Sequence, residues 1–161
     1  MSSQVLTDQA NGVRVFVALV QAHAGTTRAL NSQLLADHGL TINDYEVLLR
    51  LARASDRRMR RVDLANEVLL TASGVTRLLD GLERAGFVER ATCDSDRRVV
   101  YAVITEAGLE KLRAASDTHV AQIEALFTSR LDAGQLETIA ALLSRLGGQS
   151  VDDDLCEVDV A

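Results

Sequence analysis

Two short runs carry the side chains best suited to recognition chemistry. TASGVTR, residues 71–77, sets Thr71, Ser73, Gly74, Thr76 and Arg77 within seven residues. On a helix Ser73 and Arg77 share one side, with Thr76 on its flank. Hydroxyls there can bond phosphate oxygens or base edges, and a guanidinium can take the two acceptors of guanine. DSDRR, residues 94–98, follows between two apolar-leaning runs. Here Asp96 stands close enough in sequence to orient the planar fork of Arg98, with Arg97 beside it. Arginines on such a tip suit the negative potential of a narrow minor groove. Each run has an ordinary alternative: most helices have a solvated polar face, and most charged tips are solvated turns. Their occurrence together is what points to nucleic acid.

Other chemistries find little support. There is no Gly-rich phosphate loop and no nucleophile elbow, so an enzyme is the weakest reading. His23, His38 and His119 form no H-x3-H pair and join no Cys/His cluster, so neither a metal nor another cofactor is expected. Cys93 and Cys156 are far apart and provide no disulfide framework, as befits a reducing cytoplasm. Cys93 falls at the charged tip, which leaves a thiol-responsive protein as an alternative. The polar start MSSQVLTDQANG does not read as a signal peptide, and no apolar run reaches the length of a membrane span.

The chain has 161 residues, 47% of them hydrophobic but only 3% aromatic, so its core must be built from Leu, Val, Ile and Ala. Leu and Ala favour helix. The net charge of −6 is unevenly spread. Residues 147–161 hold five acids and no base, leaving 18 acids against 17 bases in the body. From Arg53 to Arg98 there are ten arginines against eight acids. The tail is expected to be solvated and disordered.

The elements that must position the two runs follow from periodicity. Val13, Phe16, Val17, Val20, Ala24, Leu30, Leu34 and Leu35 predict a long helix from about Asn11 to Asp37, closed by Gly39. Thr41 is placed to cap a second helix bearing Tyr45, Leu48, Leu49 and Ala52. VDLANEVL forms a third. TASGVTRLLDGLERAG forms a fourth, whose Val75, Leu78, Leu79 and Leu82 define a buried stripe ended by Gly86. FVERAT and RVVYAVIT then read as a β-hairpin with the charged tip between them. Thr105 caps a helix of about 24 residues, some 36 Å long. A last helix, DAGQLETIAALLSRL, stops at Gly147-Gly148. The expected fold is mainly α with one β-hairpin. A winged helix-turn-helix lobe, residues 40–105, is flanked by an N-terminal dimerisation helix in 1–39 and C-terminal dimerisation helices in 106–146. The acidic tail is 147–161.

From about Leu40 to Thr105 the sequence resembles the MarR family of bacterial transcriptional regulators. LTINDYEVL resembles that family's second helix and VDLANEVLLTASGVTRLLDGLERAGFVER its helix-turn-helix. DRRVVYAVIT fits the wing pattern D-x-R-x5-[LI]-T through Asp96, Arg98, Ile104 and Thr105. The resemblance implies a homodimer on a pseudo-palindromic operator in double-stranded DNA, usually a repressor relieved by a small molecule. Helix length independently favours a dimer, since a helix of about 36 Å outreaches a lobe of some 65 residues. Family members often bind phenolic or other aromatic anions between the dimer helices and the DNA-binding lobe. Phe16, Val20, His23, Arg28 and Tyr45 would line such an effector site, although Phe16, Val20 and Tyr45 also fit core positions. Family thiol sensors carry a cysteine near the start of the first helix, and this chain has none there. A winged-helix interaction module without DNA binding is the remaining alternative, favoured by the near-neutral body and the acidic tail.

Overall fold

The computed structural model describes residues 3–68, 72–92 and 99–147. Helix α1 runs Ser3–His38, α2 Ile42–Arg53, α3 Arg61–Glu67 and α4 Ala72–Arg84. Strand β1 spans Arg58–Arg60, β2 Val88–Thr92 and β3 Val100–Ile104. Helices α5, Glu106–Thr128, and α6, Ala133–Gly147, follow. The three strands make one antiparallel sheet in the order β1-β3-β2. Mainly helical with a small sheet, the chain has the expected winged helix-turn-helix architecture.

Short polar side chains fix the helix boundaries. Gly39 takes a φ of 66° and returns its N–H to Leu35 O at 3.0 Å, which ends α1 in the left-handed conformation that glycine adopts without strain. Two residues on, Thr41 and Asp44 form a reciprocal capping box. Thr41 Oγ1 accepts from the Asp44 N–H at 3.1 Å, and the Thr41 N–H donates to Asp44 Oδ2 at 2.8 Å. Asn31 of α1 adds a further cap, accepting from the Ile42 N–H at 3.0 Å. Thr105 performs the same task for α5. Its Oγ1 accepts from the Gly108 N–H at 3.1 Å while its hydroxyl donates to Gly86 O at 2.7 Å. One threonine therefore joins the end of α4 to the start of α5.

These boundaries bring α2, α3, α4, the sheet and the first half of α5 around one core. Leu48, Leu51, Leu64 and Leu112 are fully buried there, with Leu34 of α1. Along the sheet, Ala102 and Ile104 point inward and Val88 lies opposite Ile104. The helix-sheet junction is tight. A Cβ built on Gly108 would stand 2.2 Å from Phe87 O, so only glycine lets α5 start where it does.

Three features depart from sequence expectation. α1 begins at Ser3 rather than near Asn11, because its polar N-terminal residues contain no proline to stop the helix. β1 was not anticipated, since three residues alternating Arg-Met-Arg are too short and too charged to read as a strand. It is preceded by Asp56 and Arg57 at φ 58° and 54°, a turn made without glycine or asparagine. Lastly, Phe16 and Val20 do not enter the core of the chain: both are exposed.

The exposed residues form two matched stripes. Val13, Phe16, Val17 and Val20 on α1 follow the i, i+3, i+4, i+7 spacing, as do Ile139, Leu142, Leu143 and Leu146 on α6. α6 has no buried residue at all. No helix among the described residues is long and apolar enough to cross a membrane.

Candidate nucleic-acid interface

The polar face of α4 is set by the burial of its opposite side. Val75, Leu79 and Leu82 lie in the core, with Leu78 packed against it. This rotates Ser73 and Arg77 into solvent and leaves Gly74 and Thr76 half-buried at the flank. Four of the expected contact residues therefore lie along the first turns of one helix. Thr71, Asp96, Arg97 and Arg98 lie outside the described residues, as do Cys93 and the tail beyond Gly147.

Two arginines that sequence reading did not single out fix this helix. Arg61, the first residue of α3, donates from Nη2 to Thr76 Oγ1 at 2.5 Å, joining the two helices of the helix-turn-helix. Arg90 of β2 lies opposite Ala102, on the inner face of the sheet. From there it reaches two carboxylates of α4, donating to Asp80 and, from Nε, to Glu83 at 2.9 Å. Asp80 and Glu83 tie the hairpin to that helix, so the angle between them is held by a charged clamp as well as by apolar packing. The sequence signal for Arg90 was faint. A strand arginine ten residues beyond an aspartate looks like any surface charge until the register is known.

The outer face of the sheet has its own chemistry. Arg58 and Arg60 of β1 stand opposite Val103 and Tyr101 of β3. The Arg58 guanidinium lies 5.1 Å from the Tyr101 ring centre, a cation–π distance, and 3.5 Å from Asp56. Arg60 forms a two-pronged bond to Asp63, from Nε at 2.6 Å and from Nη2 at 2.9 Å. That hydrogen bond and the carboxylate charge behind it hold the Arg60 pKa above its ordinary value.

The five candidate effector residues are not brought together. Tyr45 is buried beneath α5, where its hydroxyl meets Ser116 Oγ at 3.1 Å and its ring lies 4.7 Å from that of His119. Ser116 spends its own proton on Leu112 O at 2.8 Å, so the tyrosine is the donor. Phe16, Val20, His23 and Arg28 are instead exposed along α1, the first and last separated by about 18 Å of helix. His119, only 5% exposed, has an Nδ1 without a hydrogen-bond partner among the described residues. Burial pushes its pKa below the ordinary histidine value, and nearby His38 adds to the effect. His38 itself bonds Thr118 Oγ1 at 2.6 Å. No group of three or more His, Cys, Asp or Glu among the described residues could hold a metal ion.

A helix-turn-helix followed by a two-stranded hairpin, with a polar reading face beside it, defines a winged helix-turn-helix protein. The MarR family model matches residues 40–100. AbsC, a MarR family transcriptional regulator from Streptomyces coelicolor, has 34% identity and a TM-score of 0.65, covering 82% of this chain and 94% of that one. Sco3205, a MarR family regulator from the same organism whose crystal structure is a complex with DNA, has 28% identity and a TM-score of 0.76. That match covers 86% of this chain and 87% of that one. The HTH-type transcriptional regulator MhqR of Bacillus subtilis is 27% identical over 135 residues, 84% of this chain and 90% of that protein. The chain belongs to the MarR family, which consists of transcriptional regulators and not of enzymes.

Proposed function

We propose that this chain is a homodimeric, sequence-specific DNA-binding repressor acting on a pseudo-palindromic operator. The observation that carries the reading is the face of α4: Ser73 and Arg77 are exposed on a helix clamped to a hairpin. In this reading Thr71, Ser73, Gly74, Thr76 and Arg77 enter the major groove, and Asp96, Arg97 and Arg98 meet the adjacent minor groove. Residues 40–105 are the reading lobe. The helices in 1–39 and 106–146 make the dimer, which the apolar stripes of α1 and α6 support. Four side chains per stripe, each worth about 1.5–3 kcal/mol on full burial, supply a strong drive to pair. A dimer axis between the lobes would set the two α4 helices on successive major-groove turns, some 34–36 Å apart.

Release by a small aromatic or phenolic effector completes the proposal. His23 and Arg28, exposed on α1 beyond the apolar stripe, are the candidate cations for such an anion. Binding to a duplex from the chain's own promoter region, followed by fluorescence anisotropy, tests the core of the reading. Arg77→Ala is expected to cost about 1–3 kcal/mol and to relax preference at one base position per half-site. Equal affinity of the variant for operator and scrambled duplex, unchanged from wild type, would refute it. A thermal-shift screen of aromatic acids, followed by operator competition, tests the effector.

A further inference from the structure

Five of the six net negative charges of the chain belong to residues 148–161, where Asp152, Asp153, Asp154, Glu157 and Asp159 stand without one base. Val151, Leu155, Val158 and Val160 are interleaved with these acids, so the segment suits a surface that is both cationic and apolar. The lobe offers such a surface. Between α3, α4 and the root of the hairpin lies an open cleft of about 550 Å³. Val62, Val99 and Val100 give it apolar walls, and Val62 is 71% exposed, a costly state for a valine. Arg61 supplies the charge. Arg57, Arg58, Arg60 and Arg90 each stand within 3.6 Å of a carboxylate. Arg61 instead bonds the neutral hydroxyl of Thr76 and has no carboxylate partner among the described residues. Neither has Arg77, one residue beyond Thr76 on α4. Asp63 also lines the cleft, but its charge is taken by the two-pronged bond from Arg60.

We propose that the acidic segment 148–161 docks in this cleft, its acids on Arg61 and Arg77 and its apolar side chains on the exposed valines, and so competes with DNA for the lobe. The docking stands on complementary charge and apolar surface; the competition rests on the DNA-binding reading above, which places Arg77 in a groove. Reach allows it. The segment follows directly on α6, which packs against α5. Its fourteen residues, fully extended, span about 46–50 Å. The α5 helix, which leads from the lobe to the turn before α6, is about 34 Å long. Tethering makes a weak contact count. Exposed ion pairs contribute little singly, but a joined segment acts at an effective concentration of about a millimolar. A duplex, which presents many phosphates at once, displaces it. The segment therefore lowers the affinity for every duplex by one common factor.

The test keeps the full chain and changes only the segment. One variant is neutral there, with Asp152→Asn, Asp153→Asn, Asp154→Asn, Glu157→Gln and Asp159→Asn. A second keeps every charge but carries Val151→Ser, Leu155→Ser, Val158→Ser and Val160→Ser. Without DNA, backbone hydrogen exchange over α3 and the first turns of α4 is expected to be slower in the wild-type chain than in either variant. Operator and scrambled duplexes should bind more tightly, by roughly fivefold to the first variant and about twofold to the second. Val62→Ser, which removes an apolar wall, should shrink the gain from neutralising the segment. Equal exchange in α3 for all three chains would overturn the inference, as would protection that falls on the stripes of α1 and α6 instead. A gain in affinity confined to the neutral variant would also overturn it, since plain repulsion between five acids and DNA gives that result. Should no chain bind either duplex, the DNA-binding reading and the competition fail together, and hydrogen exchange still decides the docking.

Discussion

The winged-helix lobe and the terminal helices solve the same burial problem in opposite ways. In the lobe, apolar residues of α2, α3, α4 and the sheet close on one another, and Leu48, Leu51 and Leu64 lose all contact with solvent. In the N-terminal half of α1 and in α6, the same helical spacing leaves Phe16 65% and Leu146 68% exposed. α5 belongs to both regions. Leu109, Leu112 and Ala115 in its first half are buried, whereas Phe127 near its end is exposed. The difference teaches that amphipathic periodicity identifies which face of a helix is apolar but not what covers it. The lobe covers its own apolar faces, whereas those of α1 and α6 stay exposed within the single chain.

Breaking the terminal stripe should have the largest effect. Leu142→Glu places a charge in a stripe that the proposed dimer buries. The expected result is a monomer by sedimentation velocity, with operator affinity reduced at least about 100-fold by the loss of linked half-site binding. The circular dichroism of the helices in the lobe should survive. Unfolding of the lobe together with the dimer would show that the two regions are not independent.

Next in size is an injury to the lobe itself. Gly108→Ala drives a methyl group onto the Phe87 carbonyl, and overpacking of this kind costs about 1–3 kcal/mol. Urea denaturation should show it as a lower midpoint. A smaller effect, about 1 kcal/mol, is expected for Thr41→Ala, which removes one half of the α2 capping box. Both variants should still dimerise if the lobe and the ends are covered separately.

The smallest effect is a pH dependence at the junction of the regions. His119 is neutral in the fold because burial lowers its pKa, so the unfolded chain binds a proton more readily. Its contribution is therefore fully present above the ordinary histidine value, about 6.5, and is lost as pH falls from there towards the folded value. Thermal midpoints measured from pH 8 to pH 5 should decline below about 6.5. The decline should be shallower in His119→Leu. Identical profiles for the two proteins would remove His119 from the explanation.

Much of the fold was legible because its signals are local. Gly39, Thr41, Gly86 and Thr105 mark boundaries by conformational preference or capping, which a sequence displays directly. The α4 stripe from Val75 to Leu82 likewise fixed which of its residues face outward. What escaped depends on register and distance. β1 becomes a strand only because β3 is there to pair with it. Arg90 becomes a clamp only when its strand position aims it at Asp80 and Glu83. Arg61 had been counted among ten arginines as bulk charge, with nothing in the RRMRR run to show that one of them meets Thr76. The converse holds for the apolar residues among the effector candidates. Tyr45 and Phe16 both sit on apolar faces, but one is covered within the chain and the other is not.

The most direct measurement titrates a labelled duplex from the chain's own promoter with the full-length protein, while recording mass and affinity at several salt concentrations. Two chains per duplex are expected, with the logarithm of the binding constant falling steeply and linearly with the logarithm of salt. A complex holding one chain, or an affinity indifferent to salt, would contradict a symmetric pair of lobes gripping the backbone and reading the grooves.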